Sequence, residues 1–297
     1  MTHYILNQQQ PLLPQLSGRR IAFTTPTNYS PRLLRLLHHY HAIPIPIPTV
    51  HISITPQNLS DLKSYTTNSE LLSTFSALAF TSRSGISAFS LALPVTPPLP
   101  EPVHTFSICA LGNDVQLLKE TNLAMRIFKR KSAEVAFPVS IPASPEGMVE
   151  ALGAGRGRKI LCPVPEVVGL KEPAVVGEFV ERLERKGWNP VRVPAYETRW
   201  TGENCLDTLL RGKEGEDMVD AMVFTSTAEV EGFLKGLEKA GWRWESVREK
   251  WKDLVVATHG PVTRVGAEKL GIEVDVVGVQ FDSFYGVLEA LALWWSC

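Results

Sequence analysis

The chain repeats part of its own sequence, and this repeat constrains the fold more than any other feature. Residues 77–89 read ALAFTSRSGISAF, and residues 221–233 read AMVFTSTAEVEGF, 144 positions later. The two segments share a first alanine, a Phe-Thr-Ser triplet and a last phenylalanine. A repeat at a fixed distance is the signature of a structural unit that occurs twice in one chain.

Two further pairs of segments keep nearly the same distance. GRRIA at 18–22 resembles GRKIL at 157–161, which is 139 positions later, and ALG at 110–112 resembles THG at 258–260, which is 148 positions later. Three pairs in the same order indicate a duplication. The chain has 297 residues, of which 44% are hydrophobic, so it is long enough to bury two cores.

Short apolar segments rich in β-branched residues alternate with helical stretches, which predicts an α/β fold with parallel sheets flanked by helices. We expect strands at 20–24, 77–81, 106–111, 136–139, 159–163, 221–225, 254–258 and 274–277. We expect helices at 31–41, 85–93, 114–121, 145–152, 175–186, 229–240, 245–252, 262–270 and 284–295. Segments 43–54 and 191–198 are predicted to be extended, because their prolines disfavour a helix.

Charge and composition exclude several classes of function. The formal net charge is -1, which argues against a nucleic-acid partner. No apolar run is long enough to cross a membrane, and no secretory signal precedes the first predicted strand. The four cysteines form no CxxC pair, which is typical of reduced thiols in the cytoplasm. We therefore expect a cytoplasmic protein with a small-molecule ligand, no metal site and no membrane or nucleic-acid partner.

The repeated segment has a chemical meaning. In each copy an apolar strand ends in Thr-Ser and a helix begins directly afterwards, so Ser82 and Ser226 lie where an N-cap belongs. Either serine alone is better explained as a cap. Helix N-termini also attract carboxylates and phosphates, and ligands of open α/β sheets bind beyond the carboxyl ends of the strands. The recurrence in both halves favours hydroxyls and amides that line a site for an anion.

These residues resemble the uroporphyrinogen-III synthase family, whose members keep such a Phe-Thr-Ser strand end in both halves and a tyrosine between them. The matching segments are AFTS at 79–82, ALG at 110–112, PAYET at 194–198, VFTS at 223–226 and GPVT at 260–263. The likeness extends from about 19 to 293, which is nearly the whole chain.

The resemblance implies an arrangement of domains that the order of the segments alone does not give. Residues 17–48 together with 199–297 would form a discontinuous first domain, and residues 52–192 would form a second domain inserted into it. Strands near 43–54 and 191–198 would link the two, with a ligand cleft between the domains.

The resemblance also implies a reaction. The family converts hydroxymethylbilane, a linear tetrapyrrole with eight carboxylates, into uroporphyrinogen III in porphyrin biosynthesis. It removes water, inverts the last pyrrole ring and closes the macrocycle, without a metal or an organic cofactor. We therefore expect a cofactor-independent cyclising hydro-lyase, and a monomer.

Site residues follow from the same resemblance. Tyr196 matches the family's tyrosine and is expected to act as the general acid for loss of the hydroxyl. Thr263 matches a hydroxyl that is expected to bind a substrate carboxylate. The other expected substrate-binding residues are Thr81, Ser82, Arg83, Ser84, Gly112, Asn113, Thr225, Ser226, Thr227, His259 and Gly260. Arg83 and Arg199 are candidates to pair with substrate carboxylates.

One departure from the family leaves alternatives open. Where members carry a threonine in the first half, this chain has Asp114 and Val115, and a carboxylate there would repel an anionic substrate. A second hypothesis therefore keeps the fold for a cyclase or pericyclic enzyme that acts on another small molecule of specialised metabolism. A third is a two-lobed ligand-binding protein without catalytic activity.

Overall fold

The computed structural model describes residues 13–100, 102, 104–111, 114–129, 134–139, 144–210, 218–280 and 283–296. The chain divides into two compact units. Unit 1 comprises Met1–Thr49 and Gly202–Cys297, and unit 2 comprises Val50–Thr201. The chain therefore leaves unit 1, builds unit 2 and returns, close to the expected boundaries at 48 and 199.

The elements alternate between strands and helices along the described chain. Unit 1 begins with β1 (Arg20–Phe23), α1 (Ser30–His39) and β2 (Ile43–Pro46). Unit 2 contains β3 (Val50–Ser53), α2 (Pro56–Thr66), α3 (Ser69–Ser73), β4 (Phe75–Phe80), α4 (Arg83–Ala92), β5 (Phe106–Ala110), α5 (Asp114–Glu120), α6 (Leu123–Ile127), β6 (Val135–Ala136), α7 (Pro145–Leu152), β7 (Lys159–Val168), α8 (Ala174–Arg185) and β8 (Asn189–Trp200). Unit 1 then resumes with α9 (Asp207–Leu210), β9 (Ala221–Phe224), α10 (Thr227–Lys239), α11 (Trp244–Lys250), β10 (Val255–Thr258), α12 (Pro261–Lys269), β11 (Val276–Val277) and α13 (Phe284–Trp294).

Unit 1 is built on a five-stranded sheet in the order β11-β10-β9-β1-β2, and all its pairings are parallel. Alternate residues of each strand face opposite sides of the sheet. Ile21 and Val223 belong to the core beneath α1 and α13, whereas Met222 and Val256 belong to the core beneath α10 and α12. Helices therefore cover both faces, as a parallel sheet requires.

Unit 2 repeats this topology and adds one strand. Its sheet has the order β3-β8-β7-β4-β5-β6, in which β8 to β6 pair in parallel and β3 pairs antiparallel to β8. Without β3, the order matches unit 1 strand for strand, with β4 in the place of β9 and β5 in the place of β10. The predicted fold class of two similar α/β units is confirmed.

The two segments expected to link the domains are extended, as predicted, and they belong to the two sheets. Residues 43–46 form the edge strand β2 of unit 1, and residues 50–53 form β3 of unit 2. Residues 191–198 lie within β8, which pairs with β7 on one side and β3 on the other. Prolines keep these segments extended, but the residues between them complete ordinary ladders.

Helix α2 and the second half of β7 were not predicted. The capping box of Thr55 and Asn58 starts α2. The helix was missed because the residues after the cap show no strong helical spacing of apolar residues. Strand β7 continues past Pro163, and its register with β8 shifts between Val164 and Pro165. Within the described residues, no helix combines the length and the apolar character needed to cross a membrane.

Candidate functional site

The carboxyl ends of β9 and β10 bring the predicted residues of unit 1 together. Because neighbouring parallel strands end at the same edge of a sheet, the turn after β9 lies beside the turn after β10. Thr225 and Ser226 follow β9, and His259 and Gly260 follow β10. The Thr263 hydroxyl joins the two turns by donating to the Thr225 carbonyl oxygen at 3.2 Å.

A carboxyl group that the sequence interpretation missed fills the first of these turns. Glu229 lies in the first turn of α10 and is 2% exposed. Its Oε2 accepts from the Thr24 hydroxyl at 2.7 Å and from the Thr225 backbone amide at 3.0 Å. Its Oε1 accepts from the Thr225 hydroxyl at 2.5 Å and from the Ser226 hydroxyl at 3.1 Å. The hydroxyls expected to meet a ligand at this turn therefore bind Glu229.

The electrostatics of Glu229 reflect two opposing effects. Burial raises the pKa of this carboxyl above its usual value, and the hydrogen bonds from Thr225, Thr24 and Ser226 offset only part of that rise. Among the described residues, no lysine, arginine or histidine forms an ion pair with Glu229. Neutral donors therefore stabilise this carboxyl group.

The turn between β10 and α12 has fewer of its hydrogen-bonding groups bound to side chains of the chain than the turn after β9. Helix α12 has Gly260 as its N-cap and Pro261 after it, so no side chain caps its first turn. The Thr258 hydroxyl, at the end of β10, is buried and has no hydrogen-bond partner within the part of the chain that the structure describes. The His259 ring packs edge-on against Phe284, with 5.3 Å between the ring centroids. The first-turn amides of α12 can therefore accommodate an anion without displacing a side-chain cap.

Thr227 supports the packing of two helices. A methyl group at Gly266 would lie 2.1 Å from the Thr227 hydroxyl oxygen, so α10 and α12 approach closely only because position 266 has no side chain. The substrate-binding role expected for Thr227 stays a prediction.

Unit 2 places the second copy of the repeat at the end of β4. The Ser82 hydroxyl accepts from the Gly85 amide at 3.1 Å and so caps α4, as Ser226 caps α10. Thr81 is half-buried and Ser84 is 7% exposed. Two other predicted residues of this unit, Gly112 and Asn113, lie outside the described residues.

The two arginines expected to meet substrate carboxylates are paired within the chain. Arg83 Nε donates to Asp114 Oδ1 at 2.6 Å. Arg199 donates twice to Glu197, at 2.7 and 2.8 Å. The bonds from Arg199 lower the pKa of Glu197. The pKa of Asp114 is raised by burial, which outweighs the lowering effect of Arg83. Asp114 therefore neutralises Arg83.

Tyr196 lies in the hydrophobic core of unit 2. It belongs to β8 opposite Pro165, is 6% exposed and packs in the cluster that contains Leu62 of α2 and Ile86 of α4. A general acid must reach the proton acceptor of its substrate within hydrogen-bond distance. The catalytic role of Tyr196 stays a prediction. A purely structural role, as a packed side chain of the core, also explains why a tyrosine is buried there.

Two signals in the sequence pointed to the residues that were missed. Ser226 and Glu229 are three positions apart, which is the spacing of a capping box. Thr24 follows β1, so the strand-end rule applied to Thr225 and Ser226 applies to Thr24 too.

Comparison with known proteins agrees with this architecture. A sequence model of the family described as "Uroporphyrinogen-III synthase HemD" matches residues 32–283, which include parts of both units. The chain belongs to the uroporphyrinogen-III synthase family. The resemblance proposed from the repeated segments is confirmed, and the family places the chain in tetrapyrrole biosynthesis.

A solved structure shows the same fold at low sequence identity. A mutant uroporphyrinogen III synthase from the extremely thermophilic bacterium Thermus thermophilus aligns with a TM-score of 0.56 and 16% identity, covering 93% of this chain and 99% of that chain. The wild-type protein from the same bacterium aligns with a TM-score of 0.46 and 16% identity, covering 93% and 97%. No curated protein sequence matches the chain. Family and fold thus indicate an enzyme like uroporphyrinogen-III synthase.

Proposed function

We propose that the protein is a cofactor-independent uroporphyrinogen-III synthase that converts hydroxymethylbilane into uroporphyrinogen III with loss of water. The observation that carries this proposal is the family match over residues 32–283, which includes both copies of the repeated strand-turn-helix segment. The reaction needs no redox step. The enzyme must hold a flexible chain in one folded shape and stabilise the cation that forms when water leaves.

The turn between β10 and α12 is the part of unit 1 best suited to a substrate carboxylate. The first-turn amides of α12 have no side-chain cap, and the N-terminal end of a helix attracts negative charge. Thr263 is 7% exposed, and its hydroxyl donates to a backbone carbonyl, so it can exchange this bond for a stronger one to a carboxylate. We propose that Thr263, Gly260 and His259 contact the substrate there.

In unit 2 we propose that the turn after β4 contacts the substrate through Thr81, Ser82, Arg83 and Ser84. We propose the same role for Gly112 and Asn113, which follow β5 in the sequence. Arg83 would exchange Asp114 for a substrate carboxylate. Tyr196 is proposed as the general acid that protonates the departing hydroxyl.

One observation favours a second candidate function. Three carboxyl groups of the chain already bind donors that an anionic substrate would use: Glu229 at the turn after β9, Asp114 on Arg83, and Glu197 on Arg199. A substrate with fewer carboxylates needs fewer free donors. The second candidate is therefore a cyclase that uses the same fold for a less anionic small molecule.

Isomer analysis tests the first proposal. Purified protein is mixed with freshly generated hydroxymethylbilane, the products are oxidised, and the porphyrin isomers are separated by chromatography. Heat-denatured protein gives the spontaneous background, which is isomer I. We expect isomer III from the native protein. Isomer I alone, from protein that melts cooperatively, refutes the proposal and leaves the second candidate.

Thr263→Val tests the binding role of the α12 turn. We expect kcat/KM to fall about 10-fold or more, because one charge-assisted hydrogen bond to the substrate contributes about 1.5–3 kcal/mol. Thr67→Val is the matched control, since the Thr67 hydroxyl also donates to a backbone carbonyl, that of Lys63 at 2.7 Å, but lies exposed at the end of α2. Equal kcat/KM values for the two variants would exclude Thr263 from the site.

A further inference from the structure

The two copies of the repeat differ at one chemically decisive position. The third residue after the capping serine is Gly85 in unit 2 and Glu229 in unit 1. At Gly85 a methyl group would lie 3.3 Å from the Pro163 carbonyl oxygen, so α4 packs closely against the strand beside it. In unit 1 the strand in the place of β7 is β1, which lies beside β9. The residue after β1 is Thr24, whose hydroxyl donates to Glu229 at 2.7 Å. A carboxylate is thus built into one copy of a turn and absent from the other.

The carboxyl group of Glu229 is held by four hydrogen bonds inside unit 1. Each of its two oxygens accepts from two donors, and one of the four is a backbone amide, which can only donate. A buried charge without such partners is strongly unfavourable, whereas several directed donors can hold a carboxylate without a cation. The donors come from the residue after β1, from the turn after β9 and from the cap of α10. Glu229 therefore ties three elements of unit 1 together.

We propose that Glu229 is a specificity-determining residue, whose carboxylate fills the turn between β9 and α10 and closes this turn to carboxylates of the substrate. Thr225 and Ser226 then hold Glu229, and the substrate is recognised at the turn after β10 instead. This inference concerns unit 1 alone and holds whichever reaction the protein catalyses. The donors of the turn between β9 and α10 are arranged to bind one small carboxylate group.

Truncation of Glu229 turns this inference into a binding experiment. Glu229→Ala removes the atoms of an acetate ion, and Glu229→Gly removes the atoms of a propionate ion. The four donors stay in the protein, so each variant should bind the acid that replaces its missing atoms. The melting temperature of the full-length variants is measured at pH 7 in sodium acetate, sodium propionate, acetamide and sodium chloride at equal concentration.

We expect saturating acetate to raise the melting temperature of Glu229→Ala by about 4–8 °C relative to chloride. Propionate should have the larger effect on Glu229→Gly, and the neutral acetamide should have none. Wild-type protein should respond to each acid less than the matching truncated variant does, because its turn between β9 and α10 is filled and only the turn after β10 stays open. Glu238→Ala is the matched control, since Glu238 is an exposed glutamate of the same helix. The melting temperature of Glu238→Ala should respond to acetate as that of wild-type protein does.

A response of Glu229→Ala to acetate no larger than its response to chloride overturns the proposal, as does an equal response of the wild type. If neither truncated variant folds, the neutral and equally large Glu229→Gln allows a second measurement. In wild-type protein labelled with ¹³C at the glutamate carboxyl carbons, the resonance missing from Glu229→Gln is assigned to Glu229. An ionised chemical shift at pH 7 supports the proposal, and a protonated one refutes it. No substrate enters either experiment, so neither outcome depends on the proposed reaction.

Discussion

Replacing Asp114 by Asn removes the carboxylate that neutralises Arg83 and leaves the size of the side chain unchanged. Asp114 accepts from Arg83 Nε at 2.6 Å, and the Asp114 side chain is 19% exposed and that of Arg83 49% exposed. Ion pairs this exposed contribute about 0.2–1 kcal/mol. We therefore expect Asp114→Asn to shift the melting temperature at pH 7 by no more than about 4 °C.

The pH dependence of this shift has a definite sign. Burial raises the pKa of Asp114 above its value in the unfolded chain despite Arg83. The contribution of Asp114 to the free energy of unfolding is thus fully present below the unfolded pKa of about 3.9, and it is lost as the pH rises through the folded pKa. Asn does not titrate. The melting temperature of Asp114→Asn relative to wild type should therefore be higher at pH 7 than at pH 3.5.

The same variant should bind an anionic substrate more tightly. A unit charge about 5 Å from a substrate carboxylate changes the binding energy by about 0.8 kcal/mol at the dielectric constant of water and by about 3 kcal/mol at an effective value near 20. Because Arg83 is half-exposed, the lower limit applies. We expect KM for hydroxymethylbilane to fall about 3- to 10-fold with little change in kcat, and the effect to shrink at high salt.

Glu120→Gln is the matched control, because it removes the same charge from the exposed far end of α5. Its KM should equal that of the wild type. An unchanged KM for Asp114→Asn would show that Arg83 does not meet the substrate. The reasoning about burial would be refuted if the melting temperature of Asp114→Asn, relative to wild type, were lower at pH 7 than at pH 3.5.

Three further variants concern residues of unit 2. Tyr196→Phe should lower kcat about 100-fold or more if the phenol is the general acid, whereas a stability loss of about 1 kcal/mol with full activity would show that the residue only packs in the core. Gly155→Ala should lower the free energy of unfolding in urea by about 2 kcal/mol or more, because the added methyl group would lie 2.3 Å from the backbone nitrogen of Trp188. Gly177→Ala, a helical site with no neighbour within 4 Å of the added methyl, should be as stable as wild type or more stable.

Much of the local structure followed from short-range patterns. The strands predicted at 77–81 and 221–225 both form, as Phe75–Phe80 and Ala221–Phe224, and Ser82 and Ser226 both cap the helices that follow. Apolar alternation and caps act within a few residues, so one sequence exposes them. The continuous strand β8 was harder to predict, because its prolines are equally typical of a linker.

The chemistry of the candidate site depended on contacts that no local pattern encodes. Glu229 fits a capping box in the sequence, but its bond to the Thr24 hydroxyl spans 205 positions. Asp114 looked like a carboxylate that would repel an anionic substrate, and the structure pairs it with Arg83, which lies 31 positions away. Both findings concern charged groups, whose effect depends on the partner that the fold brings to them.

The sequence by itself determined a duplicated α/β chain, the capped turns at the ends of its strands and the family to which these turns belong. These properties rest on hydrophobic periodicity, on backbone preferences and on the repeat, all of which are written into neighbouring residues. Only the tertiary structure decided which of the strand-end turns remain open to a ligand. In unit 1 the parallel sheet places Thr24 beside the turn after β9, and Glu229 then fills that turn while the turn after β10 keeps its donors.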